Sequence, residues 1–298
     1  MIKISIPATS ANLGSGFDSL GVALSMYNTV FIEENDTVDI ASLDDIQVPS
    51  SSDNLVFYAA ERLYDICGKK LTGLKIRQKN DIPMARGLGS SSACLIAGLL
   101  GANTLLNNPL AKEDIINLAA AMEGHPDNTT PALLGGLVTC AMSEGRVYSV
   151  SVPIDSQVRF VAMIPSDPLP THHARSVLPQ SVSRDDAVFN LSRAALMTSS
   201  LFSGSLENLK IATDDRLHQP YRMGLIKGSA AAFRIAKDLG AFGVYISGAG
   251  STIMAIIDQS NVKFEKTAMT ELKKNGVFDW QVRALKSDAI GAVVSIDN

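Results

Sequence analysis

Residues 87–93 read Gly-Leu-Gly-Ser-Ser-Ser-Ala and run straight into the apolar stretch Cys94–Leu100, with a strand-like segment, Leu74–Gln78, preceding them. Strand, glycine- and serine-rich loop, helix is an order that can hold a polyphosphate. Gly87 and Gly89 have no Cβ, so their backbone can take positive φ and approach an anion. The helix that follows offers free N–H groups and the positive end of its dipole, and Ser90, Ser91 and Ser92 add hydroxyls that can donate to a phosphate or ligate magnesium. Small residues at a helix start also serve simply as a cap and a close packing surface, and the loop alone leaves both readings open. It is no Walker loop, since no Gly-Lys-Ser/Thr follows, and without a third glycine it is a poor dinucleotide fingerprint.

The 298 residues, 46% of them hydrophobic, are enough for a full core, and the length suggests two domains. A net charge of -4 gives no electrostatic footprint for nucleic acid or a membrane surface, which leaves a small molecule as the default partner. Cys67, Cys94 and Cys140 lie far apart in apolar settings with no Cys-x-x-Cys spacing. They read as buried thiols of a reducing compartment, the cytoplasm. The N-terminus has no signal-peptide pattern, and no segment reaches the roughly 20 apolar residues of a spanning helix.

Periodicity predicts an α+β chain. Strands are expected at 2–6, 22–34 and 37–41, a helix at Leu55–Cys67 capped by Asp53 or Ser52, a strand at 74–78, and helices from the glycine loop to about Asn107 and at Lys112–Met122. The polar segment Glu123–Pro131, with two prolines, reads as an ordered loop. Strands at 137–142 and 146–152 lead to Pro153-Ile154-Asp155-Ser156, where the domain boundary is placed, giving domains 1–155 and 156–298. The second half reads as a strand (158–164), a polar loop (165–181), helices at 185–203, 205–213 and 221–239, strands at 243–247 and 252–257, a helix at 262–275, and strands at 279–286 and 289–296. That is β-α-β-β-α-β with a helical insertion, the order of a ferredoxin-like sandwich.

Three further clusters hold residues that packing does not need. Pro7–Asp18 brings Asn12 and Asp18 to a glycine-rich turn, suited to a ligand's amino group or to an Asx-turn. Glu123–Asn128 contains one glutamate and His125, too little for zinc but compatible with oxygen-only magnesium binding through Glu123. Ser247–Thr252 joins two strands, either as a plain hairpin or as a backbone approach to a phosphate. Arg175 and Arg222 can grip a carboxylate with two hydrogen bonds each, although an unpaired surface arginine is commoner.

Taken in this order, Pro7-Ala8-Thr9-Ser10-Ala11-Asn12-Leu13-Gly14-Ser15-Gly16-Phe17-Asp18, Arg86–Ala93, Glu123-Gly124-His125-Pro126-Asp127-Asn128 and Ser247-Gly248-Ala249-Gly250-Ser251-Thr252 resemble the motifs of the GHMP kinases, and within that superfamily the homoserine kinase family. The resemblance spans nearly the whole chain. It implies a two-domain GHMP kinase fold, with a ribosomal protein S5 domain 2-like N-terminal domain and a ferredoxin-like C-terminal domain. It implies transfer of the γ-phosphoryl of ATP to the hydroxyl of L-homoserine, for threonine synthesis, with Mg²⁺ as cofactor. By the same analogy Pro83, Met84, Ala85, Arg86, Gly87, Leu88, Gly89, Ser90, Ser91, Ser92 and Ala93 wrap the phosphates, with Asn54 near the adenine and Ser91 and Glu123 on magnesium. Asn12, Asp18, His125 and Asn128 surround homoserine, Asp18 faces its ammonium, Arg175 and Arg222 take its carboxylate, and Thr171 lies near the reacting hydroxyl. Asn12, Asn128, Thr171 and Arg175 then form the catalytic set, and a homodimer is the family expectation.

Mevalonate kinase and galactokinase carry an aspartate, a candidate base, where Asn128 aligns. An amide cannot take a proton, so catalysis here must rest on positioning and charge neutralisation. Ser251 stands where a proline is usual, a departure that touches turn rigidity and not chemistry. Another acceptor alcohol such as mevalonate or a sugar is the rival reading, and a non-catalytic ATP-binding sensor is a rival of another class. Mevalonate has no ammonium for Asp18. Arg222→Ala is expected to raise KM for homoserine in steady-state assays and to leave KM for ATP nearly unchanged; equal loss for both substrates would refute the assignment.

Overall fold

The computed structural model describes residues 1–154 and 157–296, so the domain boundary placed at 155/156 lies outside the described residues. The first half forms strands β1 (Ile2–Ala11), β2 (Leu20–Glu34) and β3 (Asp39–Ser42), helix α1 (Leu55–Ile66), β4 (Leu74–Asn80), helices α2 (Ser90–Leu105), α3 (Lys112–Glu123) and α4 (Thr129–Leu134), then β5 (Leu137–Ser143) and β6 (Arg146–Val152). The second half forms β7 (Val158–Ile164), α5 (Thr171–Ser176), α6 (Arg184–Ser203), α7 (Leu209–Ala212), α8 (Gln219–Arg222), α9 (Ser229–Asp238), β8 (Gly243–Ile246), β9 (Ile253–Asp258), α10 (Phe264–Lys274), β10 (Gln281–Leu285) and β11 (Val293–Ile296).

One sheet runs β11-β1-β2-β4-β3, with β5 added to β2 and β6 to β5; only β3 and β4 pair in parallel. Helix α2 packs on α1 and β1, buried on most of its circumference, which explains why its sequence is apolar without a polar face. The approach of α1 is possible because Gly98 has no side chain: a Cβ there would stand 2.2 Å from the Val56 carbonyl oxygen.

The other sheet runs β10-β7-β9-β8, all antiparallel, the order of a ferredoxin-like sandwich. Its strands are apolar on both faces, and alternation assigns the faces to different cores. Val161, Met163, Ile253, Ala255 and Ile257 pack with Ile235 of α9 and Phe264 and Leu272 of α10. Phe160, Ala162, Ile164, Met254 and Ile256 join the same apolar cluster as Ile4, Ile32 and Leu99 of the first half. A continuous core therefore runs from one sheet to the other, and the cleft between them is held by rigid elements.

Several expectations need correction. The strand expected at 289–296 forms over Val293–Ile296 and pairs with β1, so the chain returns to the first sheet. Helix α1 is capped by Asn54, whose side-chain oxygen accepts from Val56 N at 2.9 Å, and not by Asp53 or Ser52. The helix expected at 221–239 is broken: Gly228 takes φ 89° ahead of α9, and the segment before it is α8 and a single 3₁₀ turn. The first strand continues through Ala11, shifting register between Pro7 and Ala8, because Pro7–Ala11 finds partners in the start of β2.

Gly98→Ala tests the helix contact. Helix propensity favours alanine by about 1 kcal/mol. The overlap with the Val56 carbonyl opposes it, and a net loss of about 1–3 kcal/mol is expected in urea unfolding; a stabilised variant would refute the close packing of α1 on α2.

Candidate active site

The site is built where four loops are sewn together by backbone. Thr9 N donates to Leu88 O at 3.1 Å, Gly248 N to Ala11 O at 3.1 Å, Thr252 N to Arg86 O at 3.1 Å and Leu169 N to Ala85 O at 2.9 Å. The strand extension to Ala11 is what carries the first motif to the glycine loop. Gly87 and Gly89 both take φ +73°, and a Cβ would lie 2.1 Å from Ser247 O at Gly87 and 2.0 Å from Thr9 Oγ1 at Gly89. Any side chain at either position would push the loops apart. The segment Ser247–Thr252 is thus a strand connection and a wall of the pocket at once, with Ser247 Oγ donating to Gly87 O at 2.6 Å.

Gly89 supplies no side-chain cap to α2, so the first-turn N–H groups of this 16-residue helix have no capping side chain. Ser90, Ser91 and Ser92 sit at this end and line the pocket together with Ala85, Arg86, Gly87, Leu88 and Gly89. Ser91 Oγ donates to Glu123 Oε2 at 3.3 Å. Burial raises the Glu123 carboxyl above its usual range, against the lowering pull of His125 and the Ser91 hydroxyl. A hydroxyl and a carboxylate side by side at a helix N-terminus form an oxygen-only donor set, which suits Mg²⁺.

On the opposite wall, Asn12, Leu13, Gly14 and Asp18 all take positive φ, which winds the first motif into a tight turn. Asn12 Oδ1 accepts from Asp18 N at 3.0 Å and its Nδ2 donates to Gly248 O at 2.8 Å. Asp18 meets Arg175 in a two-pronged ion pair, at 2.7 and 3.1 Å, with both side chains about one third exposed to the cleft. Thr171, the first residue of α5, is exposed at the same pocket.

Arg222 is the largest fully buried side chain of the protein, 1% exposed. Its Nε donates to Ala174 O at 3.1 Å, and its Nη1 meets Gly248 O at 3.0 Å and His218 Nδ1 at 3.1 Å. Among the described residues Nη2 has no partner, and Arg222 lines the pocket. Burial and the nearby Arg175 charge bring its guanidinium down to about 10, still protonated at neutral pH. Phe17 lies against the arginines, with guanidinium carbons 5.5 Å (Arg175) and 5.3 Å (Arg222) from its ring centroid, and stacks on His218 at 5.2 Å.

The fourth wall is the loop before α4. His125 Nδ1 and Asp127 Oδ1 are 2.5 Å apart, and the same oxygen accepts from Asn128 Nδ2 at 3.3 Å. Asn128 Oδ1 accepts from Thr9 Oγ1 at 2.8 Å. These two contacts fix the orientation of the amide and leave it one N–H to donate. Burial lowers the His125 pKa, but the bond to Asp127 and its charge outweigh burial and leave it raised.

The structure therefore brings Asn12, Asp18, Ala85 to Ser92, Glu123, His125, Asn128, Thr171, Arg175 and Arg222 to one pocket. It does not bring Asn54, Pro83, Met84 or Ala93. The amide of Asn54 is used up by Val56 N, Pro49 O and Gln78 Oε1. Ala93 is buried in α2, and Met84 lies exposed with its carbonyl taken by Arg86. Sequence reasoning missed Asp127, Phe17 and His218. Asp127 and Phe17 stood inside quoted motifs, but His218 gave no local signal, because its importance comes from contact with Gly14, 204 residues away.

The chain matches the family model of the GHMP kinases N terminal domain over residues 54–136 and that of the GHMP kinases C terminal over residues 197–275. With the two-domain fold and the glycine-rich pocket at the α2 N-terminus, this makes it a GHMP kinase. It is 41% identical to the homoserine kinase of Caldicellulosiruptor bescii over 99% of this chain and 97% of the relative, and 40% identical to that of Clostridium beijerinckii over 99% and 98%. The chain belongs to the homoserine kinase family. The solved homoserine kinase of Cytophaga hutchinsonii superposes with a TM-score of 0.85 at 27% identity over 99% of this chain and 97% of that one. The Methanococcus jannaschii mevalonate kinase shares the fold, with a TM-score of 0.69 at 15% identity over 96% and 98%.

The buried histidine makes stability pH-dependent. Burial lowers the His218 pKa below 6.5, with Arg222 acting in the same direction and Asp215 and the Gly14 carbonyl against it. Below about pH 6.5 the unfolded chain takes up a proton that the folded one refuses, so stability falls on acidification by up to about 1.4 kcal/mol per pH unit. His125 and Glu123, both raised when folded, act in the opposite sense to His218, His125 above about pH 6.5. Urea unfolding from pH 7.5 to 5.5 is expected to show a shallower acid slope for His218→Gln than for wild type; equal slopes would refute a neutral buried histidine.

Proposed function

We propose that the protein phosphorylates L-homoserine, using ATP, to give O-phospho-L-homoserine for threonine biosynthesis. The observation that carries this reading is the charge pattern opposite the glycine loop: one carboxylate, Asp18, and two guanidinium groups, Arg175 and Arg222. An amino acid brings an ammonium for the carboxylate and a carboxylate whose two oxygens can each meet one guanidinium. On this reading homoserine exchanges into the Asp18–Arg175 pair, its ammonium on Asp18 and its carboxylate between Arg175 and the spare Nη2 of Arg222.

The phosphates lie along residues 85–92, on the α2 N-terminus. Ser91 and Glu123 would hold Mg²⁺, which when bound offsets phosphate charge. Asn128 gives its remaining N–H to the acceptor oxygen and orients it, and Thr171 stands at the mouth of the same cleft. The amide of Asn128 cannot take the hydroxyl proton, and the neighbouring Asp127 is tied to His125 and Asn128 through Oδ1. The acceptor oxygen bonds to the γ-phosphorus, the bond from that phosphorus to the bridging oxygen of ADP breaks, and the proton leaves for the transferred phosphoryl or for solvent. The loose transition state of phosphoryl transfer asks little push from the nucleophile. The three cysteines, all free, accord with a reducing cytoplasm, and no described helix is long and apolar enough to cross a membrane.

ADP release with magnesium-ATP and L-homoserine, L-serine, L-threonine, mevalonate and galactose tests the reading. Turnover on homoserine alone is expected. Turnover on mevalonate or galactose would keep the nucleotide site and overturn the roles of Asp18, Arg175 and Arg222, and silence on all five with ATP bound would indicate a sensor.

A further inference from the structure

Arg222 can serve carboxylate recognition only if its guanidinium is held with Nη2 toward the pocket, and the contacts that hold it are unusual in one respect. Two of its acceptors are backbone carbonyls, Ala174 O and Gly248 O, but the third is an imidazole nitrogen, His218 Nδ1 at 3.1 Å. A guanidinium has no acceptor and is charged, so Nδ1 must be the lone-pair nitrogen of a neutral ring. The other nitrogen, Nε2, then carries the proton and donates it to Gly14 O at 2.7 Å. Both nitrogens of a fully buried ring are therefore committed, and its tautomer is fixed by its partners.

The ring is itself held. Asp215 accepts from the backbone N–H groups of Leu217, His218 and Gln219 and from Asn190 Nδ2, at 2.6–2.9 Å, and so caps the turn that starts α8. Asn190 Nδ2 also donates to Ser15 O, beside Gly14. Phe17 stacks on the His218 ring and lies under both arginines. His218 thus links the turn that presents Asn12 and Asp18 to the arginine on the other side of the pocket. Lysine at 222 has no fork with which to copy this, and no other side chain among the described residues accepts a hydrogen bond from Arg222.

We propose that His218 is a positioning residue for substrate selection: it does not touch the substrate but, as a neutral acceptor, it aims Nη2 of Arg222 at the substrate's carboxylate and couples that arginine to the Asn12–Asp18 turn. The proposal rests on the amino-acid reading of the pocket given above. It follows that loss of the acceptor weakens carboxylate-bearing acceptors specifically and leaves nucleotide binding alone.

Two substitutions separate the bonds of the ring. In His218→Asn the side-chain oxygen can stand where Nδ1 stood and accept from Arg222, while the donor to Gly14 is lost. In His218→Gln the longer amide can stand where Nε2 stood and donate to Gly14 O, while the acceptor for Arg222 is lost. Steady-state assays would use L-homoserine and 3-aminopropan-1-ol, which is homoserine without its carboxylate, and thermal unfolding would be recorded for both variants. His218→Gln is expected to raise KM for homoserine about 10–100-fold with kcat and the KM for ATP little changed, whereas His218→Asn stays within about threefold of wild type. With 3-aminopropan-1-ol, a poor substrate throughout, the two variants should match wild type.

An unchanged homoserine KM in His218→Gln would overturn the proposal. So would parallel losses in both variants toward homoserine, ATP and the amino alcohol together with a lowered Tm, since that is the signature of a purely structural histidine. Wild-type enzyme that uses homoserine and 3-aminopropan-1-ol equally well would instead overturn the carboxylate role of Arg222 itself, and a wild type that turns over neither would overturn the amino-acid reading on which both rest.

Discussion

A charged guanidinium buried to 1% exposure is costly unless every contact around it is arranged for it, and the cleft of this protein is organised around meeting that cost at Arg222. Its acceptors come from the end of α5, the connection between β8 and β9, and the buried His218. The same carbonyl of Gly248 that accepts from Arg222 also accepts from Asn12, so the arginine and the first motif share one anchor. Because Arg222 sits in a short helix capped by Asp215, disturbing the turn before it would move the guanidinium and the wall behind Phe17 together.

The opposite side of the cleft depends on absent side chains. Gly87 and Gly89 bring the glycine loop against Ser247 and Thr9, closer than any Cβ permits. Their approach leaves the N-terminus of α2 open toward the pocket. The cleft thus has an electropositive floor made of backbone, on rigid elements, and a charged wall made of side chains. Backbone donors fixed in this way need little reorganisation when an anion enters.

Asn128 shows how a neighbour changes what a residue can do. An asparagine is both donor and acceptor, but Thr9 takes its oxygen and Asp127 takes one N–H. One N–H is left to donate. Asp127, the carboxylate beside it, meets both His125 and Asn128 through Oδ1 and so fixes the orientation of both side chains.

Much of this was legible in the sequence. The glycine loop ahead of an apolar helix, the polar segment at 123–128 and the short apolar runs of β7 and β9 are local patterns, and each has a local physical cause: backbone freedom, proline and glycine punctuation, or strands buried on both faces. Candidate residues in the four clusters were found because packing had no use for them. What was hidden depended on distance along the chain. Nothing local says that Val293–Ile296 pairs with β1, that Asn54 spends its amide on a helix cap and a strand, or that the ring of His218 reaches Gly14 and Arg222. The sequence by itself determined which elements form and which residues are available for chemistry, since these follow from propensity, periodicity and polarity. Only the tertiary structure decided which of them share a cleft, which hydrogen bonds each has left to offer and which stay charged, because those depend on burial and on partners that the chain brings together from far apart.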